Sequence, residues 1–255
     1  MSPSLGCAAG RERPGASAGS RRLSSAADGG DKRPHHLGHR QRLRERLLEG
    51  GAPALADYEL IEILLWAGNP RGDTKPLAKQ LIDRFGSFGA ALSADRDRLL
   101  ATPGVSENAA AVLLAVREAA LRLLRAEARD QPVLGSWQKL LDYCSARLAH
   151  STIEEFHLLF LDRKNALIAD EPHQRGTVDH TPVYTREVVK RALELGASAI
   201  IMVHNHPSGD PTPSRADIEV TKEVAQAAAL LGVTLHDHLI IGKGRHTSLR
   251  SLGLF

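Results

Sequence analysis

The segment at residues 199–217 constrains this chain most. An apolar run, Ala199-Ile200-Ile201-Met202-Val203, ends in His204-Asn205-His206. A turn-rich stretch with three prolines follows, and the pattern resumes at Ser214 and Asp217. A short, β-branched apolar run reads as a buried strand. In a strand, side chains at i and i+2 point the same way. His204 and His206 therefore leave the backbone in parallel, as two ligands of one metal must. Two histidines and one carboxylate fill three positions of a tetrahedral Zn²⁺ and leave the fourth open. That is the arrangement of a metal catalyst rather than of a closed structural zinc.

Simpler readings compete with this one. Most isolated H-x-H pairs are surface or packing histidines. His236 and His238 supply a control: they also follow an apolar run, but Leu239-Ile240-Ile241 continues it and no carboxylate follows at similar range. Ser214 and Asp217 resemble a capping box opening a helix over Asp217–Leu231, with Asp in place of the usual Glu or Gln. A cap accounts for those two residues by itself. It does not account for two parallel histidines ahead of a proline-rich loop, so the metal reading is preferred. His35, His36 and His39 lack carboxylate support in the sequence and read as solvated.

H-x-H-P, a short loop and S-x-x-D resemble the JAMM (JAB, MPN+) metalloprotease motif. The fuller H-N-H-P-S-G-D-P-x-P-S-x-x-D-I and the later D-H-x-I-I-G resemble its RadC branch. The likeness runs from about Pro34 to Phe255. It includes Gly38-His39-Arg40, Asp57-Tyr58-Glu59-Leu60, Asp73-Thr74-Lys75-Pro76, Arg84-Phe85-Gly86-Ser87, Pro103-Gly104-Val105, Gly176-Thr177 and Arg186-Glu187. The resemblance implies a three-layer α/β fold, Zn²⁺ held by His204, His206 and Asp217, and Ser214 facing the oxyanion of an amide under hydrolysis. It also implies a catalytic glutamate upstream, within residues 154–162.

Two neighbours, Glu154 and Glu155, compete for that role, and alternation separates them. Glu154 shares a face with Phe156, Leu158 and Phe160; Glu155 shares one with His157, Leu159 and Leu161. A carboxylate on a fully apolar face is costly to ionise, so its pKa rises toward the range a general base needs near neutral pH. The branch's Glu-x-Phe pattern also falls on Glu154. Glu171 ranks third, outside that pattern and ahead of the turn at Gly176-Thr177.

The chain should therefore be a zinc-dependent peptidase or isopeptidase acting on a protein or peptide. A different class of reading is a DNA-associated repair or recombination factor that uses the same fold as a binding module. Charge bears on this choice. Residues 1–36 hold six basic and three acidic side chains; removing them from totals of 33 and 30 leaves 27 of each. The remainder nets zero, and with 4% aromatics it offers no stacking platform or obvious phosphate groove. Two cysteines, Cys7 and Cys144, make no disulfide framework, and a cytoplasmic setting is expected. No apolar run approaches the ~20 residues of a membrane helix.

The expected organisation is a polar, disordered tail over 1–33, a helical domain over 34–129, a linker over 130–135 and a JAMM-type mixed sheet flanked by helices over 136–255. Helices are expected over Arg40–Leu48, from Asp57 as a cap, over Lys75–Phe85, and from after Ser106 to about Ala126. Leu99 to Ser106 with the helix behind it resembles a helix-hairpin-helix, in which Gly104 and Ser106 would offer backbone N–H groups to a DNA phosphate. Ser106 stands where a second glycine is usual, and Glu107 beside it would repel a phosphate. In the second domain, helices are expected over Ser136–Leu148, Arg186–Leu195 and Asp217–Leu231. Strands are expected over Phe156–Leu161, Ala166–Ala169, Ala199–Val203 and Thr234–Ile241.

Overall fold

The computed structural model describes residues 38–129, 132–135, 137–175 and 183–255. The expected tail, most of Asp130-Gln131-Pro132, His35, His36, Cys7 and the turn at Gly176-Thr177 lie outside those residues. The chain is mixed α/β, with a helical N-terminal region and a C-terminal five-stranded sheet.

Among the described residues, six helices build the first region: α1 (His39–Gly50), α2 (Asp57–Gly68), α3 (Lys75–Phe85), α4 (Phe88–Ser93), α5 (Arg96–Leu100) and α6 (Glu107–Arg129). Ile61, Leu65, Leu81, Leu99, Ala109 and Leu113 form one buried cluster among them. Asp57 does not cap α2. Its carboxylate accepts from the Phe88 N–H at 3.1 Å, the first amide of α4, whose N-cap is Ser87, while Glu59 reaches back to the Ala56 N–H at 3.0 Å. Both acids sit in the first turn of α2, so the sequence alone does not settle which orphan amide each serves. His39 is not simply solvated: its Nε2 lies 3.1 Å from the buried Glu62 carboxylate.

The second region holds α7 (Trp137–Leu148), β1 (Glu155–Leu161), β2 (Leu167–Arg175), α8 (Thr185–Glu194), β3 (Ala199–Asn205), α9 (Arg215–Leu230), β4 (Thr234–Ile241) and β5 (His246–Ser248). Strand order is β2-β1-β3-β4-β5, and β3–β4 is the parallel pair. β1 and β2 form a hairpin; its turn is held by Asp162, which accepts from the Lys164 and Ala166 N–H groups. β2 runs six residues past the expected Ala169, and β5 was not foreseen: three residues, His246-Thr247-Ser248, give too short a period-2 signal.

Alternation on the strands divides the core into two layers. Leu159, Leu161, Ile201, Val203, Leu239 and Ile241 pack toward α7 and Leu121 of α6. Phe156, Leu158, Phe160, Ile200 and Met202 pack toward α8 and α9. The sheet thus lies between helical layers, and one end of it gathers the start of β1, the end of β3 and the start of α9. Among the described residues no helix is long and apolar enough to cross a membrane.

Candidate metal centre

His204, near the end of β3, pairs with Phe156 of β1 on one side and Ile240 of β4 on the other. Its buried ring stacks on Phe156, with centroids 5.6 Å apart and planes at 10°. His206 lies just past the strand, but its N–H still donates to the Ile241 carbonyl at 3.1 Å. The ladder therefore continues through it, and both imidazoles emerge on one side. Their Nε2 atoms are 3.1 Å apart. Asp217, in the first turn of α9, sets Oδ1 at 3.4 Å from His204 Nε2 and Oδ2 at 3.6 Å from His206 Nε2. The three donor atoms all lie within 4.8 Å of one another, the one such cluster among the described residues.

The cap and the ligand are not rivals. Ser214 is the N-cap of α9, and its hydroxyl oxygen accepts from the Asp217 N–H at 3.1 Å. Its own O–H and N–H donate to Asp217 Oδ2 at 2.6 and 2.7 Å. The capping box thereby orients the carboxylate that faces the histidines. The Ser214 hydroxyl is exposed, but its proton is committed to Asp217 in this arrangement.

Electrostatics follow from burial and these contacts. Burial pushes His204 down to about 4, so its ring is neutral at physiological pH. His206 is raised, first by its contact with Asp217 and also by the charge of Glu154 nearby. Burial alone would raise Asp217, but His206, His204 and Ser214 hold it well below the usual carboxylate range. His206 Nδ1 lies 2.7 Å from the Asp210 carbonyl. A carbonyl only accepts, so Nδ1 carries a hydrogen, and Nε2 is turned to Asp217 and His204. Two imidazoles and a carboxylate converging this closely suit a borderline divalent cation such as Zn²⁺.

The loop carrying Asp210 is braced against the turn after β4. The Lys243 N–H donates to the Gly209 carbonyl at 3.2 Å, and Arg245 Nη2 lies 3.5 Å from Asp210 Oδ1. Gly242 permits the approach: a Cβ there would stand 2.5 Å from the Gly209 carbonyl oxygen and 2.9 Å from Pro211 Cδ. Backbone cannot step aside as a flexible side chain would. Gly242→Ala is expected to destabilise the protein by about 1–3 kcal/mol, the usual cost of forced overpacking. It should also weaken zinc binding by roughly 10-fold, because the carbonyl that orients His206 moves. Thermal melts and chelator competition measure the two effects; wild-type zinc affinity would show that the loop's seat does not matter to the ligand.

The three glutamates fall in different places. Glu154 directly precedes β1, two residues before the Phe156 that stacks on His204, and is half-buried. Glu155 turns to the opposite face: its Oε1 accepts from the Ser151 hydroxyl at 2.8 Å, and its Oε2 lies 3.8 Å from His157 Nε2. His157 in turn meets Asp170 at 3.0 Å, and Tyr143 donates to the same carboxylate. Glu171 is held by Arg191 through contacts of 2.6 and 2.7 Å, and that pairing lowers its pKa.

Three side chains at this end escaped sequence reasoning. Asn205, 1% exposed, accepts from the Glu155 N–H at 2.9 Å and donates to the Ile153 carbonyl at 3.0 Å. It grips the two residues that flank Glu154. His238 is fully buried with its Nε2 2.8 Å from His204 Nδ1. Thr221 of α9 lies 2.6 Å from His238 Nδ1. Burial, then the neighbouring His204, pushes His238 well below the usual histidine value. The signals available were the middle letter of H-N-H and the histidine of D-H-x-I-I-G.

Far from these residues in sequence, Gly104 turns the α5–α6 hairpin at φ +88°. The Ser106 hydroxyl accepts from the Ala109 N–H at 3.2 Å, and Arg96 meets Glu107 at 3.5 Å. Ser106 thus occupies one of the amides a phosphate would need. Duplex DNA affinity should accordingly be weak and steeply salt-dependent. Six basic side chains in residues 1–36 support a log–log slope of at most about −5. Deleting residues 1–33 should remove most binding; submicromolar affinity of the truncated chain at physiological salt would make the helical region a DNA reader.

A mixed sheet between helical layers, with two histidines at one strand end and an aspartate at the start of the next helix, defines a JAB-type domain. Residues 134–254 match the RadC-like JAB domain family, and residues 35–111 match the family described as UPF0758 N-terminal. A protein of Rhodobacter capsulatus called UPF0758 protein is 60% identical over 212 residues, covering 83% of this chain and 99% of that one. The chain belongs to this RadC-like UPF0758 family.

Proposed function

We propose that the chain is a zinc-dependent amide hydrolase, a metallopeptidase or isopeptidase acting on a protein or peptide. One observation carries the reading: two imidazole Nε2 atoms and a carboxylate converge within 4.8 Å. His204, His206 and Asp217 would hold the ion. Bound there, Zn²⁺ supplies a Lewis acid for a carbonyl oxygen and brings the pKa of water from about 15.7 toward about 7.

The remaining steps belong to the chain's own groups. The Glu154 carboxylate takes a proton from the attacking water and returns it to the leaving amine nitrogen, as a general base and then acid. Glu154 directly precedes β1 and is half-buried, so it is partly shielded from solvent. Ser214 can face the oxyanion by rotating its hydroxyl away from Asp217 Oδ2. Its N–H still holds that oxygen at 2.7 Å, so the carboxylate keeps its orientation. Removing such a donor typically costs about 10²–10³ in rate.

The test is metal analysis joined to a peptidase assay. The full-length protein is expected to carry one zinc per chain, to lose both metal and hydrolysis on chelation, and to recover both with Zn²⁺. A chain that takes up no zinc, or that hydrolyses equally after chelation, overturns the proposal.

A further inference from the structure

Two groups, Thr221 and His238, connect one candidate ligand to another through the protein interior. The Thr221 hydroxyl oxygen lies against the main-chain carbonyl oxygen of Asp217. A carbonyl has no proton to give, so the hydroxyl proton lies between the two oxygens. Thr221 has only that one proton. Toward its other neighbour, His238 Nδ1 at 2.6 Å, it can only accept, so His238 Nδ1 carries the hydrogen. A neutral imidazole bears one N–H. His238 Nε2 is therefore a bare lone pair and accepts from His204 Nδ1–H at 2.8 Å. His204 then has no hydrogen on Nε2, the atom facing His206 and Asp217.

We propose that His238 and Thr221 are positioning residues that lock His204 in its Nδ1–H tautomer through a one-way chain of hydrogen bonds. The chain starts at the backbone of Asp217 and ends at the ring of His204, so the helix and the strand that supply two ligands set each other's proton order. The reversed chain would leave the Thr221 and Asp217 oxygens facing each other with no proton between them. It would also aim a hydrogen from His204 Nε2 into the ligand cluster. His238 and Thr221 are both fully buried, so water does not complete the chain in their place. At His206 the same ordering comes from backbone, through the Asp210 carbonyl. The consequence for metal uptake rests on the zinc reading; the tautomer does not.

The test uses ring-nitrogen NMR of the zinc-free, full-length protein at neutral pH, with chelator competition for Zn²⁺ as a second readout. Wild type and Thr221→Ser, which keeps the hydroxyl, should both show His204 protonated at Nδ1 and bare at Nε2. Thr221→Val keeps the shape and removes the hydroxyl. It should move the His204 proton to Nε2 and weaken zinc binding by about 10–100-fold, the usual cost of losing a partner that orients a ligand. A wild-type His204 protonated at Nε2 overturns the proposal without reference to any variant. So does a Thr221→Val protein whose tautomer and zinc affinity both match wild type. If the tautomers are as stated but the wild type takes up no zinc, the metal reading falls and the lock stands.

Discussion

His206→Ala should purify without stoichiometric zinc, against one ion per chain for the wild type. His204, Asp217 and the capping box around Ser214 remain, but two donors give a divalent ion little beyond what scattered surface sites offer. The loss should exceed the roughly 10–100-fold that follows from removing a ligand's hydrogen-bond partner. His206 is the informative choice because its side chain is 20% exposed at the lip of the site, whereas His204 is buried under Phe156. Alanine there leaves no large cavity, so a folding defect should not mask the result; a thermal melt beside the metal analysis checks this. Equal zinc in mutant and wild type would remove the site from consideration.

Glu154→Gln should leave zinc bound and abolish hydrolysis, with a loss of about 10²–10⁴ in rate, the range for a lost general base. The amide keeps the shape of the side chain and removes its basicity. Glu155→Gln should keep most of the activity. Its carboxylate faces the other side of the sheet, where Ser151 and His157 meet it, and an amide can still accept from Ser151. Metal content and turnover, measured on the same preparations, separate the two. If Glu155→Gln is the inactive one, the facing of this short segment is inverted relative to the reading here, and Glu155 is the base.

The convergence of His204, His206 and Asp217 was legible because it needs only local rules: alternation through His204 and His206, and a helix start at Asp217. The same alternation split Glu154 from Glu155, and the two faces do pack into separate layers. What sequence reading lost was pairing across distance. His238 served as the example of an uninteresting histidine because nothing near it in the chain suggested a partner. Its partner lies 34 residues away, brought within 2.8 Å by the parallel pairing of β3 and β4. Asn205 was passed over for the same reason: its two contacts lie 50 and 52 residues upstream. Asp57 was misassigned because its carboxylate serves an amide of α4 rather than of its own helix.

The grip of Asn205 on Ile153 and Glu155 makes the middle letter of H-N-H a message of its own. The outer letters say whether an ion can be held. The inner one says whether the segment bearing residue 154 is moored to the strand that holds it. Serine or glycine at 205 would keep both histidines and remove the side chain that here bonds the Glu155 N–H and the Ile153 carbonyl. The identity of residue 205 therefore bears on how the start of β1 is held, independently of the two outer letters.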